Sequence, residues 1–249
     1  MRVVDFFSGI GGFSLGLERV GFKTVAFSEI DPYACAVLRK HWPDVPNLGD
    51  ITKLSAGDVP DADLWCGGFP CQPFSVAGLQ RGSSDERNLW PDWFRLIREV
   101  KPRWLFMENV PALLSIERGT VFGGLLRDLA SCGYDAEWDC LPASSFGSHF
   151  FGDRVWIVAS CSTSYLSGRS GRGEIEKEVP SCGEVWNEFE RLLQHEIQFS
   201  VPAGKVGRVS DGVSKRVDRL RCLGNAIFPK ISSWIGERIM QIEMKEGAK

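Results

Sequence analysis

A chain of 249 residues, 43% hydrophobic and 24% charged, has the composition of a folded globular protein and excludes wholesale disorder. Eight cysteines without a Cys-x-x-Cys pair argue against a disulfide scaffold, a zinc ribbon and a thioredoxin-type site, and predict a reduced, cytoplasmic protein. No apolar stretch approaches a membrane span, and Asp5 with its neighbouring glycines interrupts the run that a signal peptide would need. The net charge of −3 is unevenly spread: from Gly204 to Arg238 eight basic residues stand against three acidic ones. Such a segment suits a polyanion groove and a solvated face equally well.

Up to Ala159 the chain alternates strand-like and helix-like segments. Arg2–Phe7 is an apolar run of β-formers, followed by a turn at Gly9–Gly12 and a helix over Phe13–Val20, with Gly21 just past its end. Thr24–Ser28 is the next strand, and Asp31 with Pro32 reads as an N-cap and first turn. Asp63–Cys66 and Arg103–Met107 read as buried strands, separated by Trp90, Trp93, Phe94 and Ile97 at helical spacing. A helix over Val121–Leu129 and strands over Tyr134–Cys140 and Val155–Ala159 close the series. This alternation predicts an α/β fold with a doubly wound, mostly parallel sheet. Beyond it, Ser160–Gly173 is a linker rich in Ser, Gly and Arg, and Glu174–Phe199 is polar. From Ile227 an apolar stripe of Ile231, Trp234, Ile235, Ile239 and Ile242 predicts an amphipathic helix.

The stretch from Asp5 to Phe13 places a glycine turn between a strand and a helix, where backbone can approach a ligand closely. Many α/β proteins carry such a turn for packing alone. Glu29, about 20 residues on at the end of the next strand, is placed to accept hydrogen bonds from ribose hydroxyls and favours a nucleoside-bearing cofactor. Asp50 is either an acceptor for an adenine amino group or a plain turn residue. Cys71 lies between two prolines, in a glycine-flanked loop at a strand's carboxyl end. That setting presents a thiol for nucleophilic attack once a positive field lowers its pKa. The other seven cysteines read as small core hydrophobes.

Four strings occur in order: Phe6-Phe-Ser-Gly-Ile-Gly-Gly-Phe13, Gly67-Gly-Phe-Pro-Cys-Gln-Pro-Phe-Ser75, Glu108-Asn-Val110 and Leu223-Gly-Asn-Ala226. Together they resemble the DNA (cytosine-5) methyltransferases, over Val3 to about Ala159 and again from Arg208 to about Ile239. The resemblance implies a Rossmann-like S-adenosylmethionine-dependent enzyme acting on duplex DNA. It casts Cys71 as the nucleophile that adds to cytosine carbon 6, Glu108 as the carboxyl group on N3 and the exocyclic amine, and Arg154 as the guanidinium that steadies it. A carboxyl group that donates to N3 needs a pKa raised by burial. S-adenosylmethionine is assigned Phe6, Ser8, Gly9, Gly11, Phe13, Glu29, Ile30, Asp50, Ile51 and Pro70. Asn225 and Ala226 return beside the glycine turn to join them.

Two departures from the family pattern stand out. Where the family carries Gln-x-Arg-x-Arg before a strand, this chain reads Phe150-Phe-Gly-Asp-Arg154: Gly152 replaces the first arginine and Phe150 the glutamine. The stretch between the matching halves is also short for a target-recognition region. The expected organisation is a catalytic domain over 1–159, a short recognition region over 160–207, and a basic segment with a returning helix over 208–249. Because the target carbon lies inside a stacked duplex, the base must be flipped out. The loop Val76–Asn88 is expected to close over it, with Ser75, Arg81 and Arg87 on DNA, and no metal takes part. A monomer is the default. The rivals are a transfer-RNA cytosine-5 methyltransferase, whose later Cys-Phe-Thr string is missing here, and a catalytically silent binding module. A nicotinamide oxidoreductase leaves Cys71 and Glu108 without a role.

Overall fold

The computed structural model describes residues 1–70, 88–148, 152–161 and 226–247. Chain order gives β1 (Arg2–Phe6), α1 (Gly12–Glu18), β2 (Lys23–Ser28), α2 (Pro32–His41), β3 (Leu64–Gly67), α3 (Trp90–Val100) and β4 (Trp104–Asn109). These are followed by α4 (Thr120–Ser131), β5 (Tyr134–Pro142), β6 (Asp153–Cys161) and α5 (Pro229–Gly247). The local signals act as their chemistry dictates. The Asp31 carboxylate caps α2 by accepting from the backbone N–H groups of Tyr33 and Ala34 at 3.0 and 2.9 Å, with Pro32 as the first helical residue. Gly21, at φ 95°, takes the left-handed backbone that reverses the chain between α1 and β2.

The six strands lie in the order β2-β1-β3-β4-β6-β5. β2, β1, β3 and β4 pair parallel, whereas β6 is antiparallel to both β4 and β5. The mostly parallel sheet expected from the alternation is therefore present, with β6 the one strand reversed. Side-chain alternation sends Val4, Phe6, Trp65, Leu105 and Met107 to the face covered by α3 and α4. Val3, Leu64, Cys66, Trp104, Phe106 and Trp156 go to the opposite face, covered by α1 and α5. Trp104–Met107 is wholly buried, as a strand sandwiched on both faces requires.

The stripe on α5 is core: Ile231, Ile235, Ile239 and Ile242 are buried while Trp234 is half-buried. Two glycines of α1 allow the close approach. A Cβ on Gly12 would lie 2.4 Å from the Ile227 carbonyl oxygen, and one on Gly16 would lie 2.3 Å from that of Pro229. At the far end of α5, the Glu243 carboxylate accepts from the Arg103 guanidinium and, at 2.8 Å, from the Trp104 indole. No helix among the described residues is long and apolar enough to cross a membrane.

Three of the cysteines expected in the core are there: Cys66, Cys132 and Cys161. Cys35 and Cys140 are instead only half-buried: Cys35 on α2 faces the turn of Glu29 and Asn47, and Cys140 lies at the margin of the core on the edge strand β5. Cys182 and Cys222 lie outside the described residues. So do the linker and recognition stretch and most of the basic segment.

Candidate active site

Parallel strands deliver their carboxyl ends to one edge of the sheet, and Ser8, Gly9, Gly11, Glu29, Ile30, Pro70 and Glu108 lie at the ends of β1 to β4 or in the turns that follow them. After β1 the backbone turns sharply: Phe7, Gly9 and Gly11 have φ of 51°, 54° and 82°. The turn is held from below. Ser8 donates its hydroxyl to the Asp5 carbonyl, Gly11 N–H donates to the Ser8 carbonyl at 2.8 Å, and Ser14 donates its hydroxyl to the Asp5 carboxyl at 2.7 Å. Asp5 is fully buried, and burial pushes its pKa up to about 8. Gly11 lies under the Trp42 ring, whose atoms come within 2.7 Å of where a Cβ would stand.

Glu29 follows β2 and ties two loops together. Its Oε2 accepts from Gly9 N–H at 2.7 Å, and its Oε1 accepts from the N–H groups of Ile30 and Asp31 at 2.8 and 2.7 Å. A carboxylate has about four acceptor sites, so these three bonds leave capacity on Oε2. Ile30 beside it is 66% exposed, an uncovered apolar side chain at the rim. Asp50 caps a short 3₁₀ turn over Ile51–Lys53, accepting from the Thr52 N–H and hydroxyl, which hold its pKa below the usual carboxylate range. Ile51 beneath it is buried.

The rings of Phe6 and Phe13 occupy the core rather than the edge. Phe6 packs 4.8 Å from Trp65 and Phe13 packs 4.9 Å from Phe106, and both are essentially unexposed. Strand alternation explains Phe6, which points under α3, so any contact it makes with a ligand comes through its backbone. Phe7 was not singled out in the sequence. It is the half-buried neighbour, with its ring edge-on to Trp93 at 5.4 Å. Its sequence signal is the doublet Phe6-Phe7 before the glycines: Phe7 lies just past β1 with φ 51°, and that turn brings its ring to Trp93 on the same face as Phe6.

At the end of β4, Asn109 is buried and donates its side-chain amide to the Phe69 carbonyl at 3.0 Å. That bond fixes the chain just before Pro70, which is half-buried. Glu108 turns to the α5 face, beneath Gly68, where a Cβ would stand 2.9 Å from its Oε2 and 3.6 Å from Ile227 Cδ1. β6 brings the counter-charge. Running antiparallel, it begins at the edge where β4 ends, pairing Asn109 with Val155 and Glu108 with Trp156. Arg154 thus stands diagonal to Glu108 on the same face, and its Nε lies 2.8 Å from Glu108 Oε1. Burial pushes the Glu108 pKa up to about 7, against the opposing pull of Arg154. Gly152 leaves room for the guanidinium, since a Cβ there would lie 3.3 Å from Arg154 Nη1.

The edge therefore assembles Glu108 with Arg154, and separately Ser8, Gly9 and Gly11 with Glu29. Ile30 follows β2 directly, and Asp50 lies in the segment after α2. Ala226 is half-buried, and its neighbour Ile227 lies against Gly12, beside the glycine turn. Cys71, Ser75, Arg81, Arg87 and Asn225 lie outside the described residues, as do Phe150 and the loop expected to close.

Comparison with known proteins bears on this arrangement. The family model described as C-5 cytosine-specific DNA methylase matches residues 1–196. The type II methyltransferase M.BsuFI of Bacillus subtilis is 38% identical over 159 residues, covering 64% of this chain and 39% of that protein. The type II methyltransferase M2.BsuMI of Bacillus subtilis (strain 168) is 30% identical, covering 97% of this chain and 76% of its own length. That alignment runs to 296 positions, more than the 249 residues of the chain, so the relative carries segments that this chain lacks. In fold the chain resembles the crystal structure of the S. pombe Dnmt2 methyltransferase, with a TM-score of 0.54 at 22% identity over 69% of this chain and 57% of that one. The chain spans half or less of the length of the first curated relatives that it matches.

Proposed function

The chain belongs to the C-5 cytosine-specific DNA methylase family, and from that premise we propose that it methylates carbon 5 of a cytosine flipped out of duplex DNA. The observation that carries the reading is the Glu108–Arg154 pair. A carboxyl group with its pKa pushed up to about 7 and a guanidinium 2.8 Å away sit beneath Gly68, two residues before Pro70. A carboxyl group protonated near neutrality can donate to cytosine N3 while Arg154 keeps it oriented.

Carbon 5 of cytosine is too electron-poor to be methylated unaided. The Cys71 thiolate adds to carbon 6 as Glu108 gives a proton to N3, which makes carbon 5 an enamine nucleophile. S-adenosylmethionine, when bound, supplies an electrophilic methyl group on a sulfonium, which leaves as a neutral thioether. A base then takes the carbon-5 proton, the thiolate is expelled as the carbon 5–carbon 6 double bond re-forms, and the N3 proton returns to Glu108, which restores the aromatic ring and the free enzyme.

The fit to S-adenosylmethionine rests on the loops after β1 and β2. Uncovered Ile30 offers an apolar face to adenine, Glu29 retains an acceptor site for ribose hydroxyls, and ionised Asp50 suits an amino group. Ser8, Gly9 and Gly11 bring backbone close to the remainder. Arg81, Arg87 and Ser75 are assigned to DNA, with the basic segment before Arg238 supplying phosphate contacts that give affinity without sequence information. A short recognition region over 160–207 would read few bases directly. We take the protein to act as a monomer in the cytoplasm.

Tritiated methyl incorporation into duplex DNA and into bulk transfer RNA, measured side by side, tests the reading. Incorporation into DNA, mapped to carbon 5 by bisulfite sequencing, is expected, and incorporation into transfer RNA alone overturns it. A 5-fluorocytosine duplex should be trapped covalently through Cys71, which a catalytically silent homologue would not do.

A further inference from the structure

Next to Glu29 one polar side chain makes more bonds than its exposed position requires. The backbone around Asn47 pairs with the edge strand β2: Phe27 N–H donates to the Pro46 carbonyl at 2.9 Å and Leu48 N–H to the Phe27 carbonyl at 2.7 Å. Two residues further along β2's direction the Asn47 side chain takes over this ladder. Its Oδ1 accepts from Glu29 N–H at 3.0 Å, and its Nδ2 donates to the Glu29 carbonyl at 3.0 Å. A primary amide has the donor and acceptor of a peptide unit, and here it pairs with Glu29 as a neighbouring strand would.

The same amide reaches two further groups. Oδ1 also accepts from Gly49 N–H at 3.1 Å, and Nδ2 also meets the Cys35 thiol sulfur at 3.2 Å. Cys35 in turn donates its thiol to the Glu29 carbonyl at 3.3 Å. Gly49, at φ 79°, is the residue before Asp50. One side chain therefore fixes the peptide that carries Glu29 and the turn that carries Asp50, the two carboxylates at opposite ends of the proposed nucleoside site.

We infer that Asn47 is a positioning residue for cofactor binding: it holds Glu29 and Asp50 at the separation that a ribose and its adenine require. The inference rests on the proposed assignment of those two carboxylates. Asn47 itself touches no ligand and acts through its neighbours. Its substitution should weaken the cofactor site without loosening the fold, because the backbone pairing of Phe27 with Pro46 and Leu48 does not depend on the side chain.

The test uses the full chain and S-adenosylhomocysteine as the probe. Asn47→Ala should weaken probe binding in calorimetry about tenfold, as expected for the net loss of one or two hydrogen bonds, with the deficit appearing in the KM for S-adenosylmethionine rather than in kcat. In a Glu29→Ala background the same substitution should cost clearly less affinity than in the unsubstituted chain, because one of the two groups it positions is gone and only the hold on the Asp50 turn remains. Amide exchange at Glu29 and Gly49 should rise in Asn47→Ala while that at Phe27 and Leu48 holds. Probe binding within twofold of the unsubstituted chain, an equal loss in the Glu29→Ala background, or unchanged exchange at Glu29 and Gly49 overturns the inference. Failure of the unsubstituted chain to bind S-adenosylhomocysteine overturns instead the assignment beneath it, and the exchange measurement still decides whether Asn47 holds the two turns.

Discussion

The side-chain amide of Asn109 donates to the carbonyl of Phe69 at 3.0 Å, so the residue after Glu108 holds the chain two residues before Cys71. Glu108 and the chain leading to Cys71, the proposed proton donor and nucleophile, are thereby linked through one hydrogen bond between β4 and the segment after β3. Asn109→Ala removes a buried donor and strands the Phe69 carbonyl, at a cost of about 1–3 kcal/mol. If that cost falls on loop placement, kcat for methyl incorporation drops about ten- to a hundredfold. Initial rates at saturating DNA, beside the urea midpoint, separate misplacement from unfolding. An unchanged rate counts against the loop being held this way.

The Glu108–Arg154 pair sets a pH dependence. Glu108 must be protonated to donate, and burial pushes its pKa up to about 7 from the ordinary 4.5. Activity should therefore fall as the pH rises through about 7. Arg154 opposes the effect of burial, so Arg154→Gln should carry this alkaline limb to higher pH even as it lowers the maximum rate. Rate profiles from pH 5.5 to 9 for both proteins check the direction, and a limb that moves to lower pH refutes it.

Asp5 carries a similar signature into stability. Its carboxyl is pushed up to about 8 from 3.8 by burial, so the folded protein holds a proton that the unfolded chain has already released. The associated stability is complete below about pH 4 and is lost as the pH climbs through about 8, at no more than about 1.4 kcal/mol per pH unit. Asp5→Asn keeps an acceptor for Ser14 and removes the titration. Urea unfolding at pH 5, 6 and 7 should show a shallower decline for the variant than for the natural chain, and parallel declines would remove Asp5 as the source.

Much of this arrangement can be read in the chain before any coordinates. Asp31-Pro32 states its own N-cap, and the α5 stripe follows from 3.6-residue spacing. Glu108 takes its place from an apolar run that ends in a carboxylate. What escapes is set by turns and direction. Phe6 and Phe7 both reach Trp93 because the chain leaves the strand at Phe7 with φ 51°, a turn that two adjacent phenylalanines do not disclose. Arg154 meets Glu108 because β6 runs backwards, and nothing in Asp153–Cys161 announces its direction. Asn47 lies in a polar turn, and its bonds to Glu29 cross 18 residues, beyond any local pattern. Cys35 reads as a core hydrophobe by composition, but α2 turns it toward that same turn.

Two glycines separate site from scaffold. A Cβ on Gly68 would stand 2.9 Å from Glu108 Oε2, at the end of a flexible side chain that can move aside. Gly68→Ala should therefore leave the urea midpoint nearly unchanged while displacing the carboxyl from Arg154. Misplacement by a fraction of an ångström to about 1 Å lowers kcat on the order of a hundredfold. A Cβ on Gly16 would instead stand 2.3 Å from the Pro229 carbonyl oxygen, which is backbone and cannot yield cheaply. Gly16→Ala should force α1 and α5 apart, at a stability cost of about 1–3 kcal/mol. Urea midpoints and single-turnover methylation of the two variants should show opposite profiles: one active-site defect in a stable protein, and one unstable protein whose folded fraction still works. A Gly68→Ala protein that unfolds as easily as Gly16→Ala would mean that Glu108 is held too rigidly to yield, and that the carboxyl is part of the scaffold.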